Sequence, residues 1–196
     1  MAIPRFAEHG ALPAFIEGNP TAIIARSPYL ASMYEFVERF CTSPHRAKLL
    51  QGFNEYRKHL HKAGFVSGFQ WLDGSFIEDV EVTQKRNPND IDVVTLFNRP
   101  LKYQVEPSKW VSDYEGYLFK GYFDTRLMKP KFKCDTYGVD LDAGQRALIR
   151  GTTYWFGLFS DMRGSLAKKG IVEIPLATDL MEFSAIDQVI GGRFNV

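Results

Sequence analysis

The chain has 196 residues, 45% of them hydrophobic and 24% charged, which suits one globular domain and not a disordered chain. Twenty-four Lys and Arg against 23 Asp and Glu leave a net charge of +1, which argues against a protein whose whole surface grips nucleic acid. Two distant cysteines, Cys41 and Cys134, exclude a disulfide scaffold or a cysteine-rich zinc module. No apolar run reaches the ~20 residues that span a bilayer, and MAIPRFAEHG lacks an apolar leader, so the expected compartment is the cytoplasm, away from membranes.

Residues 1–26, with Pro4, Pro13 and Pro20, read as an extended arm. Ser27-Pro28 has the form of an N-cap followed by proline in the first turn, and Leu30, Met33, Tyr34, Val37 and Cys41 follow at helical spacing. The signal repeats at Ser43-Pro44, with Leu49, Leu50, Phe53, Tyr56 and Leu60 on one face and Gly64 as the stop. From Phe65 to Phe76 a strand runs into a glycine turn, and 78–89 is polar and reads as a loop or exposed hairpin. Ile91 to Phe97 is β-branched and apolar, a buried strand. A helix capped by Ser108, a strand over 132–141, a helix over 145–159 and a short strand over 171–176 follow. Pro175 marks the last strand as an edge or an end. The whole is an α/β (α+β) chain of one domain, an arm and two helices (1–64) followed by a sheet-containing core (65–196), with helices on one side of a small mixed sheet.

One segment carries chemistry. Gly74-Ser75 is followed, after fourteen residues, by Asp90-Ile91-Asp92-Val93-Val94. On a strand, positions 90 and 92 share a face about 6.6 Å apart, while Ile91 and Val93 turn to the core. Paired carboxylates raise each other's pKa unless a positive charge lies between them, and magnesium (or manganese), which takes carboxylate and phosphate oxygens together, fits that place. Gly74 lets a phosphate approach the backbone, and Ser75 adds a hydroxyl and an amide. A third carboxylate is wanted on a neighbouring strand: Asp135, between Cys134 and Thr136, is the first candidate and Asp140 the second.

Gly-Ser followed by Asp-x-Asp on the next strand, then a later strand carboxylate, resembles the nucleotidyltransferase superfamily that includes DNA polymerase beta, minimal antitoxin-type nucleotidyltransferases and bacterial cyclic-oligonucleotide synthases. The longer string WLDGSFIEDVE…NPNDIDVVTLF, with YWFGLFSDMRG and KKGIVEIPL downstream, resembles an uncharacterised bacterial family, DUF6932, assigned that fold. The first resemblance implies that Ser75 holds a triphosphate, that Asp90 and Asp92 bind metal and that Asp135 is the third ligand. It also implies the reaction, transfer of a nucleoside monophosphate from a nucleoside triphosphate to a hydroxyl on a protein, an RNA end or another nucleotide. The three carboxylates should then converge at one edge of the sheet, from adjacent strands. A catalytically silent module in a toxin–antitoxin or phage-defence pair is the alternative.

Other signals are weaker. Arg163, Lys168 and Lys169 stand in a loop where they would neutralise a triphosphate or leaving pyrophosphate, though a solvated turn explains them too. Between Arg99 and Lys133, eight basic residues against four acids alternate with Tyr103, Trp110, Tyr114, Tyr117 and Tyr122, a pattern shared by base-stacking surfaces and ordinary helix faces. His59 and His61 do not share a helical face, so no metal pair is expected there. No G-x-S-x-G or Walker-type phosphate loop occurs.

Overall fold

The computed structural model describes residues 3–16, 25–165 and 167–194; Pro20 of the expected arm lies outside them. A short strand β1 (Tyr29–Leu30) leads into helices α1 (Met33–Phe40) and α2 (Pro44–Lys62). Ser43 caps α2 with Pro44 in its first turn, as the sequence indicates. The Ser27-Pro28 signal, by contrast, starts no helix. Ser27 Oγ accepts the Ile171 N–H at 2.7 Å, and Tyr29 and Leu30 pair in parallel with Val172 and Glu173. The helix begins five residues later at a capping box: Ser32 accepts the Glu35 N–H at 3.1 Å while Glu35 accepts the Ser32 N–H at 2.7 Å. The N-terminal segment therefore contributes a strand to the sheet.

Next come β2 (Gly68–Asp73), a 3₁₀ turn (Ser75–Ile77), the one-turn helix α3 (Val80–Thr83) and β3 (Ile91–Phe97). Helices α4 (Leu101–Val105) and α5 (Ser108–Asp113) follow, and α5 opens into a π-helical stretch (Tyr114–Phe123). Ser108 is thus the first helical residue and not a side-chain cap. Then come α6 (Thr125–Phe132), β4 (Cys134–Asp140), α7 (Gln145–Phe159), β5 (Val172–Pro175) and α8 (Leu180–Phe194). Among the described residues no helix is long and apolar enough to cross a membrane.

The five strands run β1-β5-β2-β3-β4, with β1/β5 and β3/β4 parallel and β2 antiparallel to both its neighbours. Pro175 ends β5, which is an interior strand. Helices cover both faces, not one. Leu72, Ile91, Val93, Phe97, Cys134 and Val172 join the main core with residues of α1, α2, α6 and α8, while Trp71, Val94, Leu96 and Val139 lie with Trp155 and Phe159 of α7. The cause is in β3, which is apolar on both faces and so needs cover on both.

A buried arginine ties these layers together. Arg57 on α2 donates to Gln70 Oε1 at 2.6 Å, to the Pro175 carbonyl at 2.8 Å and to Thr178 Oγ1 at 2.7 Å, while Gln70 donates to Thr95 on β3. Asn54 in turn holds α8 through the Phe183 carbonyl and Asp187, at 2.9 and 2.7 Å.

Candidate active site

Strand register builds the site. Asp73 on β2 is opposite Asp92 on β3, and Asp92 is opposite Asp135 on β4. Adjacent strands are about 4.8 Å apart and residues alternate between faces, so these three carboxylates form one row on the face that α7 covers further along. Asp90 shares the parity of Asp92 and meets Asp135 through Lys129 of α6, whose Nζ bonds Asp90 Oδ2 and, at 2.9 Å, Asp135 Oδ2. Asp140 is remote from the row: it is opposite Phe97 and pairs with Arg99 at 2.8 Å. Asp92 and Asp135 therefore stand abreast on neighbouring strands, Asp90 is joined to Asp135 through Lys129, and Asp135, not Asp140, is the carboxylate beside Asp92.

Gly74 follows Asp73 with φ at +78°, and a Cβ there would lie 1.8 Å from Asp92 Oδ2. Only glycine permits this turn to rest on the carboxylate. The half-buried Ser75 opens the 3₁₀ turn behind it. Arg46 of α2 braces that turn, donating to the Phe76 and Glu78 carbonyls at 2.5 and 2.7 Å and forking onto Glu81.

The three loop cations divide. Lys169, only 4% exposed, sits 2.6 Å from Glu78 Oε1, with a looser ionic contact of 3.1 Å to Asp73 Oδ1. Arg163 is exposed, and its charge acts on Asp92. Lys168 is exposed and paired with Asp161, so the structure does not bring it to the row. The basic and aromatic stretch resolves mostly into core: Tyr103 and Trp110 are buried, Tyr114 and Tyr122 pack against the same cluster, and Tyr117 is the exposed ring. His59 stacks on Tyr122 and bonds the Gly121 carbonyl, apart from His61.

Burial pushes the Asp92 carboxyl up to about 6, with the charges of Asp90 and Asp135 adding to the push and Arg163 and Lys169 opposing it. Burial likewise pushes Asp73 up to about 7, against the pull of Lys169 and the Gly74 amide. For Lys129, burial works against the charge, but its bonds to Asp90 and Asp135 prevail and hold the ammonium above the ordinary lysine range. Burial raises the Cys134 thiol far above its usual value, which leaves it no part as a nucleophile.

An unfolded Asp ionises near 3.9, so above about pH 4 the native state keeps protons on Asp73 and Asp92 that the unfolded chain has lost. These two groups therefore cost the metal-free protein nothing below about pH 4 and lower its stability progressively from there until pH passes their native values. Side-chain carboxyl NMR should find Asp92 titrating near 6 and Asp73 near 7. Urea midpoints in chelator should fall over the same interval. A midpoint that rises throughout would mean that both carboxylates are held ionised by stronger partners than Lys169 and Arg163.

The donors suit a hard divalent cation: carboxylates only, with Asp135 Oδ1 buried and without a hydrogen-bond partner. Among the described residues no group of three or more His, Cys, Asp or Glu is arranged to hold an ion, and the Lys129 ammonium is paired with both Asp90 and Asp135. Asp73, Glu78 and Lys129 have no motif of their own in the sequence. Asp73 alone had a signal, as the strand residue in step with Phe69 and Trp71 just before the glycine turn.

The fold and site thus define a mixed α/β protein with a row of carboxylates beneath a glycine turn. The chain belongs to DUF6932, a family of unknown function whose model matches residues 4–175, a range that contains the whole row, Gly74-Ser75, Lys129 and Lys169. No curated protein and no solved structure matches the chain.

Proposed function

We propose that the protein is a nucleotidyltransferase that moves a nucleoside monophosphate from a nucleoside triphosphate to a hydroxyl acceptor. The observation that carries this reading is Asp92 and Asp135 abreast on adjacent strands, with the Gly74 backbone resting on Asp92. It agrees with the Gly-Ser and Asp-x-Asp resemblance to the nucleotidyltransferase superfamily. Asp90, Asp92 and Asp135 would hold magnesium or manganese, which when bound neutralises phosphate charge and lowers the pKa of a nearby hydroxyl.

This chain's own residues do the rest. The Gly74 turn admits the phosphates to the backbone, Ser75 donates its hydroxyl to them, and Arg163 supplies compensating charge. Asp135 accepts the proton of the attacking hydroxyl and so orients its oxygen. The bond from that oxygen to the α-phosphorus forms, the α–β bridging bond breaks, and pyrophosphate leaves with the electron pair. Catalysis is mainly positioning and charge compensation. Lys169, engaged with Asp73 and Glu78, supports the turn from behind. The test is incubation with each labelled triphosphate and magnesium or manganese, with pyrophosphate and labelled product expected. Neither from any triphosphate would overturn the reading.

Lys129 favours a second reading, a catalytically silent module that binds a protein partner, because an ammonium between Asp90 and Asp135 occupies a cation's place. The two readings part in Lys129→Met. Its side chain is 44% exposed but those of Asp90 and Asp135 are 12% and 17%, so the metal-free variant should lose about 1–3 kcal/mol. On the enzyme reading, magnesium should then raise the melting temperature at lower concentration than in wild type, since a cation stabilises in proportion to its binding to the native state. If magnesium stabilises neither protein, the module reading is the better one.

A further inference from the structure

Beside the carboxylate row lies a cavity of about 420 Å³ at the outer edge of β4. Phe119 and Phe123 of the π-helical stretch line it from one side, and Tyr137 and Trp155 from the other, their rings 4.4 Å apart. Tyr137 is on the face of Asp135, two residues along the strand. At this edge Gly138 also lines the cavity. The ladder turns odd-numbered β4 groups toward β3, as the Ile91 N–H to Lys133 carbonyl and Leu141 N–H to Phe97 carbonyl bonds show. Even-numbered residues therefore face outward. The outward N–H of Thr136 is taken by Thr125 Oγ1 at 2.7 Å, and that hydroxyl donates back to the Thr136 carbonyl. No described residue bonds the outward N–H or C=O of Gly138.

Thr125 occupies the outward groups of Thr136, the position next to Gly138, so no peptide strand can be added across this part of the edge. Asp124 and Arg126 also line the cavity but pair with each other at 2.7 Å, and the Gly138 N–H and C=O between aromatic walls suit a planar ring with a donor beside an acceptor on its rim, which is the pattern of a nucleobase. We propose that this cavity binds the base of the acceptor nucleotide, its rim paired with the Gly138 N–H and C=O and its face stacked on the aromatic walls. Gly138 is three residues, about 10 Å, from Asp135, within the span from a base to its ribose hydroxyls. The Gly74–Ser75 turn is on the opposite, β2, side of the row, which leaves the β4 side to the acceptor. The assignment of this base to an acceptor rests on the transferase reading; binding of the base is tested apart from it.

The experiment titrates ¹⁵N-labelled protein in chelator with AMP, CMP, GMP and UMP, and with ribose 5-phosphate as the base-free control. At least one nucleotide should shift the Gly138 amide resonance saturably while ribose 5-phosphate leaves it in place. Phe119→Ala, at a ring 42% exposed, should weaken that binding about tenfold. An RNA trinucleotide ending in the preferred base separates two sources of the same chemistry: tighter binding than the mononucleotide names an RNA end, and equal or weaker binding names a free nucleotide. A Gly138 amide that no nucleotide moves, or that ribose 5-phosphate moves equally, overturns the proposal. The wild-type titration decides this even if the Phe119 variant does not fold. If Gly138 responds but no triphosphate yields pyrophosphate, the pocket stands and the transferase reading fails. If pyrophosphate is released while Gly138 stays silent, the pocket falls and the transferase reading survives with another acceptor.

Discussion

Asp92→Asn is expected to abolish nucleotidyl transfer while leaving the metal-free protein as stable as wild type or somewhat more so. The carboxyl is pushed from 3.8 to about 6 by burial and by Asp90 and Asp135, a shift of roughly two units that corresponds to about 3 kcal/mol against the ionised form near neutral pH. The amide keeps the shape beneath Gly74 and removes that charge. It remains a polar group at a largely buried position, so the net gain should be nearer 1 kcal/mol, about 2–4 °C for a chain of this size. Activity should fall by at least about 10³-fold, because a centre that works by compensating phosphate charge loses its central carboxylate. Magnesium-dependent stabilisation should vanish with it. Thermal melts in chelator and in magnesium, beside a pyrophosphate assay, read all three effects. A fall of many degrees in chelator would make Asp92 a structural hydrogen-bonding residue and remove the main support of the enzyme reading.

Lys169→Met should be the most destabilising single change at the site. Its ammonium is buried between Asp73 and Glu78, and breaking a buried ion pair from one side leaves the other charge without compensation, at about 3–5 kcal/mol. On a chain of this length that is on the order of 10 °C. The loss should depend on pH with a definite sign. Asp73 has its native pKa raised to about 7 even with Lys169 present, and removing the cation lifts it further. At low pH Asp73 is neutral and needs no partner, so its share of the loss should vanish there and grow as pH rises past neutrality, on top of the share due to the lost Glu78 contact. Urea unfolding of both proteins across that range tests it. Asp73→Asn combined with Lys169→Met should recover part of the loss. A pH-independent deficit would assign Lys169 to packing by its alkyl stem, not to charge.

The sequence by itself determined what local pattern and chain direction can determine. Ser43-Pro44 starts α2, 145–159 is helical, 91–97 is a buried strand, and alternation within that strand places Asp90 and Asp92 on one side and Ile91 and Val93 on the other. Where two local signals compete, tertiary partners decide. Ser27 resembles a cap, yet its hydroxyl serves the Ile171 N–H, 144 residues away, and the helix waits for Ser32 and Glu35. Helix α6 carries Pro130 in its interior and α3 and α4 are only four and five residues long, so their periodicity is too short to read. The charges of the site show the same division. Asp135 was legible because a strand alternates, but its place beside Asp92 depends on β3 and β4 pairing in one register and no other. That Lys129 enters the row while Lys168 stays outside, that Lys169 serves Asp73, and that Gly138 faces a free edge are set by segments far apart in the chain. Only packing brings such groups within the few ångströms over which hydrogen bonds and ion pairs act.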